Sequence, residues 1–232
     1  MPELNFHVTG VEAPARGLAP LLRFTLRITA SMPVQALILN VQIQIQSPQR
    51  GYTPAEKKKL VELFGPPEKW SHTLRNRLWT HATVTTGAFE GETEAGLQVP
   101  CSYDLNLSAS KYFDALEGGE VPLLFLFSGS VFHSNAEGRL QVERISWDKE
   151  CVYRMPAETW RGLMEAHYPN SAWVYLRRDA FERLCEYKRE SGLATWEAVV
   201  DSLIESAGAP KNAEDLQKIL TTEQAGRAEV VA

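Results

Sequence analysis

A chain of 232 residues with 44% hydrophobic and 23% charged residues is long enough to bury a sizeable core and has the balance of an ordinary globular protein, which excludes disorder for most of its length. Its formal charge of -5 argues against a broad nucleic-acid footprint, because neutralising phosphates takes clustered Lys and Arg. Only a local basic patch stays open.

Glu3, Asn5 and His7 stand where the apolar region of a signal peptide would lie, so the expected location is the cytoplasm. The longest apolar run, Val121 to Phe127, is interrupted by Pro122 and is too short for a transmembrane helix. Cys101, Cys151 and Cys185 are odd in number and widely spaced. They suggest neither a disulfide framework nor a metal knuckle, and are expected to be buried thiols.

In chain order, Asn5 to Val11 and Leu21 to Ala30 alternate, with Phe24, Leu26 and Ile28 on one face and Arg23, Thr25 and Arg27 on the other; period two predicts half-buried strands. After Ser31-Met32-Pro33, Leu37, Leu39, Val41, Ile43 and Ile45 alternate with a mostly carboxamide face, Asn40, Gln42, Gln44 and Gln46. One wet face indicates an antiparallel sheet. From Thr53 to Phe64 the period changes: Thr53 as cap, Pro54 at the first helical position and Glu56 closing a capping box predict a helix with Leu60, Val61 and Phe64 on its buried face, stopped by Gly65-Pro66-Pro67.

Trp79 to Phe89 reads as strand from its β-branched residues. Glu90 to Gly96 reads as an exposed loop, with a further strand through Leu97, Val99, Tyr103, Leu105 and Leu107. Ser108 to Leu116 fits a short helix or an extended edge. Val121 to Phe132 is expected to be a central strand, joined by a hairpin-like loop from His133 to Gly138 to a strand over Leu140 to Trp147. Six or seven strands with short connections predict an α+β protein: an antiparallel β-sandwich or open barrel over residues 1–155, then a helical C-terminal segment. In that segment Glu158 to His167 carries Trp160, Leu163 and Met164 on one side, and residues 209–232 are expected to be helical or partly disordered.

The sharpest local pattern lies at 171–207. Ala172 to Leu176 is β-like, Asp179 with Glu182 forms a capping box for a helix reaching Gly192, and Phe181, Leu184 and Cys185 make its apolar side. Thr195 caps a second helix in which Trp196, Val199, Val200, Leu203 and Ile204 share one face. Strand, helix, turn and helix in this order resembles the ribbon-helix-helix module of dimeric bacterial repressors. In that family the ribbon reads the major groove through polar or basic side chains. Here one ribbon face offers Trp173 and Tyr175 and the other Ala172, Val174 and Leu176, and neither can make a bidentate base contact. Protein binding is the expectation, with Trp173, Tyr175 and Trp196 as contact residues, and nucleic-acid reading the alternative. A homodimer through the ribbon goes with the latter.

No catalytic, cofactor or metal residue emerges. His7, His72, His81, His133 and His167 lack zinc-site spacing, although His72 and His81 would converge across a hairpin. Ser128-Gly129-Ser130 lacks the nucleophile-elbow pattern and reads as a turn or bulge. Asp104 with Asp114, or Glu117 with Glu120, would act as acid and base only if the fold brought them together in a cleft. An enzyme using an unrecognised site is the third alternative.

Two stretches, Cys101-Ser102-Tyr103-Asp104-Leu105 through Val121 to Gly129, and Pro169-Asn170-Ser171-Ala172-Trp173 through Gly192 to Trp196, resemble an uncharacterised bacterial family carrying a domain of unknown function. The genes of that family are set beside uptake nickel-iron hydrogenase operons. The resemblance covers nearly the whole chain and implies a non-enzymatic accessory or scaffolding role, with a hydrogenase subunit or maturation factor as partner. It supplies no catalytic residues. A nickel or iron-sulfur carrier would show clustered Cys or His, which favours scaffolding.

Overall fold

The computed structural model describes residues 2–14, 17, 19–103 and 106–208; the expectations for Asp104, Leu105 and residues 209–232 lie outside them. The chain divides into two compact units, Met1–Ala172 and Trp173–Ala232.

The first unit holds two antiparallel sheets. Strands β1 (Leu4–Glu12), β2 (Leu21–Ala30) and β5 (Glu92–Pro100) form one in the order β1-β2-β5. Strands β3 (Ala36–Ile45), β4 (Arg77–Thr86), β6 (Glu120–Ser134), β7 (Leu140–Arg144) and β8 (Glu150–Pro156) form the other, in the order β4-β3-β6 with β7 and β8 both on the far side of β6. The sheets do not close into a barrel. They pack face to face: the Phe24 ring of β2 meets Trp79 of β4, Phe125 of β6 and Tyr153 of β8 at 5.2 to 6.2 Å, and Phe6 of β1 stacks on Phe127 of β6 at 4.6 Å.

Period two does what the sequence predicts. Leu22, Phe24, Leu26 and Ile28 are buried, as are Leu37, Leu39, Val41, Ile43 and Ile45. The outward Arg23 pairs with Glu12 of β1, and Arg27 with Glu92 and Glu94 of β5. Those two glutamates overturn the loop expected at Glu90 to Gly96. Glu92 to Gly96 is the first half of β5, in register with Thr29 to Thr25, because the Arg27 opposite neutralises a run that looks like a loop when read alone. Strand β5 then stops at Pro100, and Leu107, expected in the same strand, opens helix α3 (Leu107–Ala115). Asn106 caps α3 by accepting from the Ala109 N–H, which settles Ser108 to Leu116 as helix. Strand β8 was not anticipated at all.

Strand β6 runs unbroken along β3 from Leu123 to Phe132. On its other edge β8 pairs as far as Leu126 and β7 resumes only at Ser130, so Ile145 to Lys149 face Phe127 to Gly129 as a bulged loop. Two backbone bonds pin it: Phe127 N–H to Lys149 O at 2.9 Å and Ile145 N–H to Gly129 O at 3.1 Å. The bulge expected at Ser128-Gly129-Ser130 therefore lies in the β7–β8 connection that faces it. Gly129 itself has φ 141°, and a Cβ there would stand 2.0 Å from the Ile38 carbonyl oxygen. Glycine is what lets β3 approach.

Helices gather at the end of the sandwich where β3, β5 and β8 finish and β4 and β6 begin. Helix α1 (Pro54–Phe64) starts with the predicted capping box: Thr53 Oγ1 accepts from the Glu56 N–H and Glu56 Oε2 from the Thr53 N–H. Leu60 and Phe64 are buried as expected, whereas Val61 is exposed, one position off the inward stripe. Short helix α2 (Trp70–Thr73) aims the Trp70 indole N–H at Gly65 O. Helix α4 (Ala157–His167) stacks Trp160 on Phe113 of α3 at 4.6 Å. It thus belongs with the β unit rather than beginning a separate segment at residue 156.

Arg50 clasps this end together. Its guanidinium meets Glu56 through two bonds of 2.8 and 3.0 Å and donates to the carbonyls of Gly51, Gly118 and Glu120. Glu56 Oε1 also accepts from the Glu117 N–H. The side chains are 9% and 2% exposed. Burial alone would raise the Glu56 carboxyl, but the bonds from Arg50 and from the Glu117 and Thr53 N–H groups hold it down to about 2.

The second unit contains helices α5 (Arg178–Glu190) and α6 (Trp196–Ser206). Helix α5 begins two residues before the predicted start. Its N-cap is Arg177, which makes no side-chain cap bond, and Asp179 lies in the first turn paired with Arg177. There its charge suits the positive helix end without capping it. Thr195 caps α6 as predicted, accepting from the Ala198 N–H at 3.2 Å. Ala172 to Leu176 forms no strand within the chain.

Two outcomes follow from this architecture. A Glu56 carboxyl held at about 2 rather than 4.5 contributes stability that is full above pH 4.5 and is lost as pH falls toward 2. Acid unfolding monitored by circular dichroism should show about 3 kcal/mol lost across that window, with E56Q less stable at neutral pH and flatter below it. Gly129→Ala should lower the denaturant-derived unfolding free energy by about 3 kcal/mol, while S128A stays within about 0.5 kcal/mol of the parent.

Candidate functional site

Several chemistry-bearing side chains of the first unit are engaged internally. Cys101 is buried, its thiol pushed up to about 12 by burial, and it donates to Val99 O. Cys151 and Cys185 are only partly buried, contrary to expectation. His133 is buried, with Nε2 3.3 Å from a Glu143 oxygen and Nδ1 3.3 Å from Ser134 O. His167 Nδ1 lies 2.9 Å from Leu163 O. His72 and His81 do not share a hairpin: the first is on α2 and the second on the outer face of β4. Among the described residues no three of His, Cys, Asp and Glu converge.

Carboxylates behave similarly. Asp114 accepts from the Trp160 indole N–H at 3.0 Å, and burial pushes its carboxyl up. Glu117 accepts from Thr53 Oγ1 and pairs with Lys59, while Glu120 is exposed. A cleft between Trp79, Cys101, Asn106 and Trp160 measures about 30 Å3, room for ordered water rather than a substrate.

The second unit is built differently. Lys188 Nζ donates to Leu193 O and Ala194 O at 2.7 Å, closing the connection between α5 and α6. The Tyr187 and Ser202 hydroxyls join the helices at 2.7 Å, and Phe181 and Trp196 lie 5.5 Å apart. Lys188 Nζ also stands 5.8 Å from the Trp196 ring centre. Among the described residues of the unit only Val199 is buried. Trp173 is 42% exposed, Tyr175 72% and Trp196 41%, and Val174, Leu176, Phe181, Val200, Leu203 and Ile204 are also exposed. Thus the three expected contact residues all present surface. Trp173 and Tyr175 lie close to one another, with ring centres 6.2 Å apart.

Of the other tryptophans, Trp70, Trp79 and Trp160 are buried. Trp147, a candidate among the six tryptophans but not one of the expected contact residues, is the most exposed large apolar residue described, at 91%. Its sequence signal is an indole flanked by Ser146, Asp148 and Lys149.

Comparison with solved structures finds distant likeness to β-glucosidases. β-Glucosidase 3B from Thermotoga neapolitana, in complex with α-D-glucose, is 12% identical with a TM-score of 0.27. The enzymes from Kluyveromyces marxianus and Paenibacillus barengoltzii are 7% and 13% identical, each with a TM-score of 0.25. Each covers 66% of this chain, which spans only 15 to 17% of theirs, and likeness this remote carries no argument about activity. No curated protein matches. The model of a family of unknown function, DUF6084, matches residues 1–212.

Proposed function

We propose that this chain, which belongs to the family of unknown function DUF6084, is a non-enzymatic protein-binding factor whose contact surface is the helical unit beginning at Trp173. One observation carries the reading. The 36 described residues of that unit bury a single side chain, Val199, and expose nine large apolar ones. Large apolar side chains left in water favour an interface that covers them, and aromatic side chains are the usual anchors of a protein interface. Trp173, Tyr175 and Trp196 supply those anchors, and the charges around them are mixed: Arg178, Arg183, Lys188 and Arg189 alternate with Asp179, Glu182, Glu186 and Glu190 along α5. Such a face suits a protein better than a phosphate backbone.

The partner proposed is a nickel-iron hydrogenase subunit or maturation factor in the cytoplasm. This rests on the resemblance of the stretches around Cys101 to Gly129 and Pro169 to Trp196. No helix among the described residues is long and apolar enough to cross a membrane, which is compatible with that setting.

Affinity capture from native cells tests both parts. The tagged full chain should recover a hydrogenase subunit or maturation factor, and the triple variant W173A/Y175A/W196A should recover at least about tenfold less while keeping its helical content by circular dichroism. Capture without any hydrogenase component ends the partner assignment. Undiminished capture by the triple variant ends the assignment of the surface.

A further inference from the structure

An endoprotease binds its substrate as an extended strand, so an exposed side chain marks a cleavage point only where the backbone around it is extended and unpaired. Every aromatic residue of the chain lies among the described residues, and the exposed ones are Trp147, Trp173, Tyr175, Phe181 and Trp196. Phe181 and Trp196 are in helices α5 and α6. Trp147 sits in a short loop pinned to β6 through Ile145 and Lys149. Trp173 and Tyr175 lie in residues 171–177, which form neither helix nor strand and are exposed at every position.

Within that segment the geometry favours one bond. A cut after Tyr175, which is 72% exposed, engages Ala172 to Tyr175 on one side and Leu176 and Arg177 on the other, all outside regular structure. A cut after Trp173 draws in Asn170, whose φ of 51° turns the chain left-handed. A cut after Arg177 requires unwinding the first turn of α5, where Asp179 pairs with the Arg177 guanidinium at 3.0 Å.

We propose that residues 171–177 are a processing site, at which an endoprotease with a pocket for aromatic side chains hydrolyses the Tyr175–Leu176 bond and detaches the helical unit from a β unit that stays folded. Water is the co-reactant: its hydroxyl goes to the new Tyr175 carboxyl and its proton to the new Leu176 amine. The β unit survives because its buried core runs from Leu4 to Met164, wholly before the cut. The regulatory consequence rests on the contact surface proposed above. Cleavage leaves Trp173 and Tyr175 on one fragment and Trp196 on the other, so the three anchors no longer belong to one chain and recognition ends.

Limited digestion of the full chain by chymotrypsin, whose specificity pocket is a hydrophobic slot, tests the site. By mass spectrometry the first product should end at Tyr175, and that fragment should keep the β circular dichroism and unfold cooperatively on heating. Y175A should be cut at least about tenfold more slowly, because the aromatic side chain that fills the pocket is gone. No partner is present in the digest, so loss of the partner assignment and loss of the cleavage site are separate results. A chain that resists cleavage, or a first cut after any other residue, overturns the proposal. So does equally fast cleavage of Y175A, or a fragment that has lost cooperative unfolding.

Discussion

The β unit depends most on the Arg50–Glu56 clasp. All five guanidinium N–H groups are used, two on Glu56 and three on the carbonyls of Gly51, Gly118 and Glu120. A buried ion pair is costly to desolvate and is tolerated only when its remaining hydrogen bonds are met. Here they are met by backbone, so the pair fixes three chain segments against each other: the turn leaving β3, the first turn of α1 and the entry to β6. Helix α3 lies between the last two and positions Phe113 between Trp79 and Trp160. The aromatic cover over the end of the sandwich follows from that placement.

The same accounting explains why a strongly shifted carboxyl is not a catalytic signal in this protein. Shifted acids mark active sites when burial and a charge partner leave an oxygen or a donor for substrate. Glu56 accepts from Arg50, Glu117 and Thr53, and Arg50 has no donor left over. The pair is a structural rivet. Asp114 Oδ1 accepts from the Trp160 indole, and the Cys101 thiol donates to the Val99 carbonyl.

What the sequence revealed was local. The alternation of Leu22 through Ile28 and of Leu37 through Ile45, the Thr53–Glu56 capping box and the Thr195 cap all follow from neighbours within a few residues, and all appear as expected. What it concealed depended on distant partners. Glu92 and Glu94 belong to a strand because Arg27, more than sixty positions earlier, lies beside them. Arg50 is a surface residue by composition until Gly118 and Glu120 reach it. The exposure of Trp147 comes from a mismatch of five residues against three, visible only once β7 and β8 are known to share one edge of β6.

The second unit inverts this relation between local and distant signals. Its helices are specified by their own ends: Thr195 caps α6, Asp179 lies in the positively polarised first turn of α5, and Lys188 closes the connection on Leu193 and Ala194. Among its described residues, by contrast, only Val199 is buried. Helices formed from local signals with little tertiary burial stay marginal, and whatever binds the folded form alone stabilises it by mass action. A partner that covered the exposed apolar side chains of the described residues would couple helix stability to its own occupancy. The β unit is held at one end by Arg50 and Glu56, whereas the described part of the second unit leaves its large apolar side chains exposed.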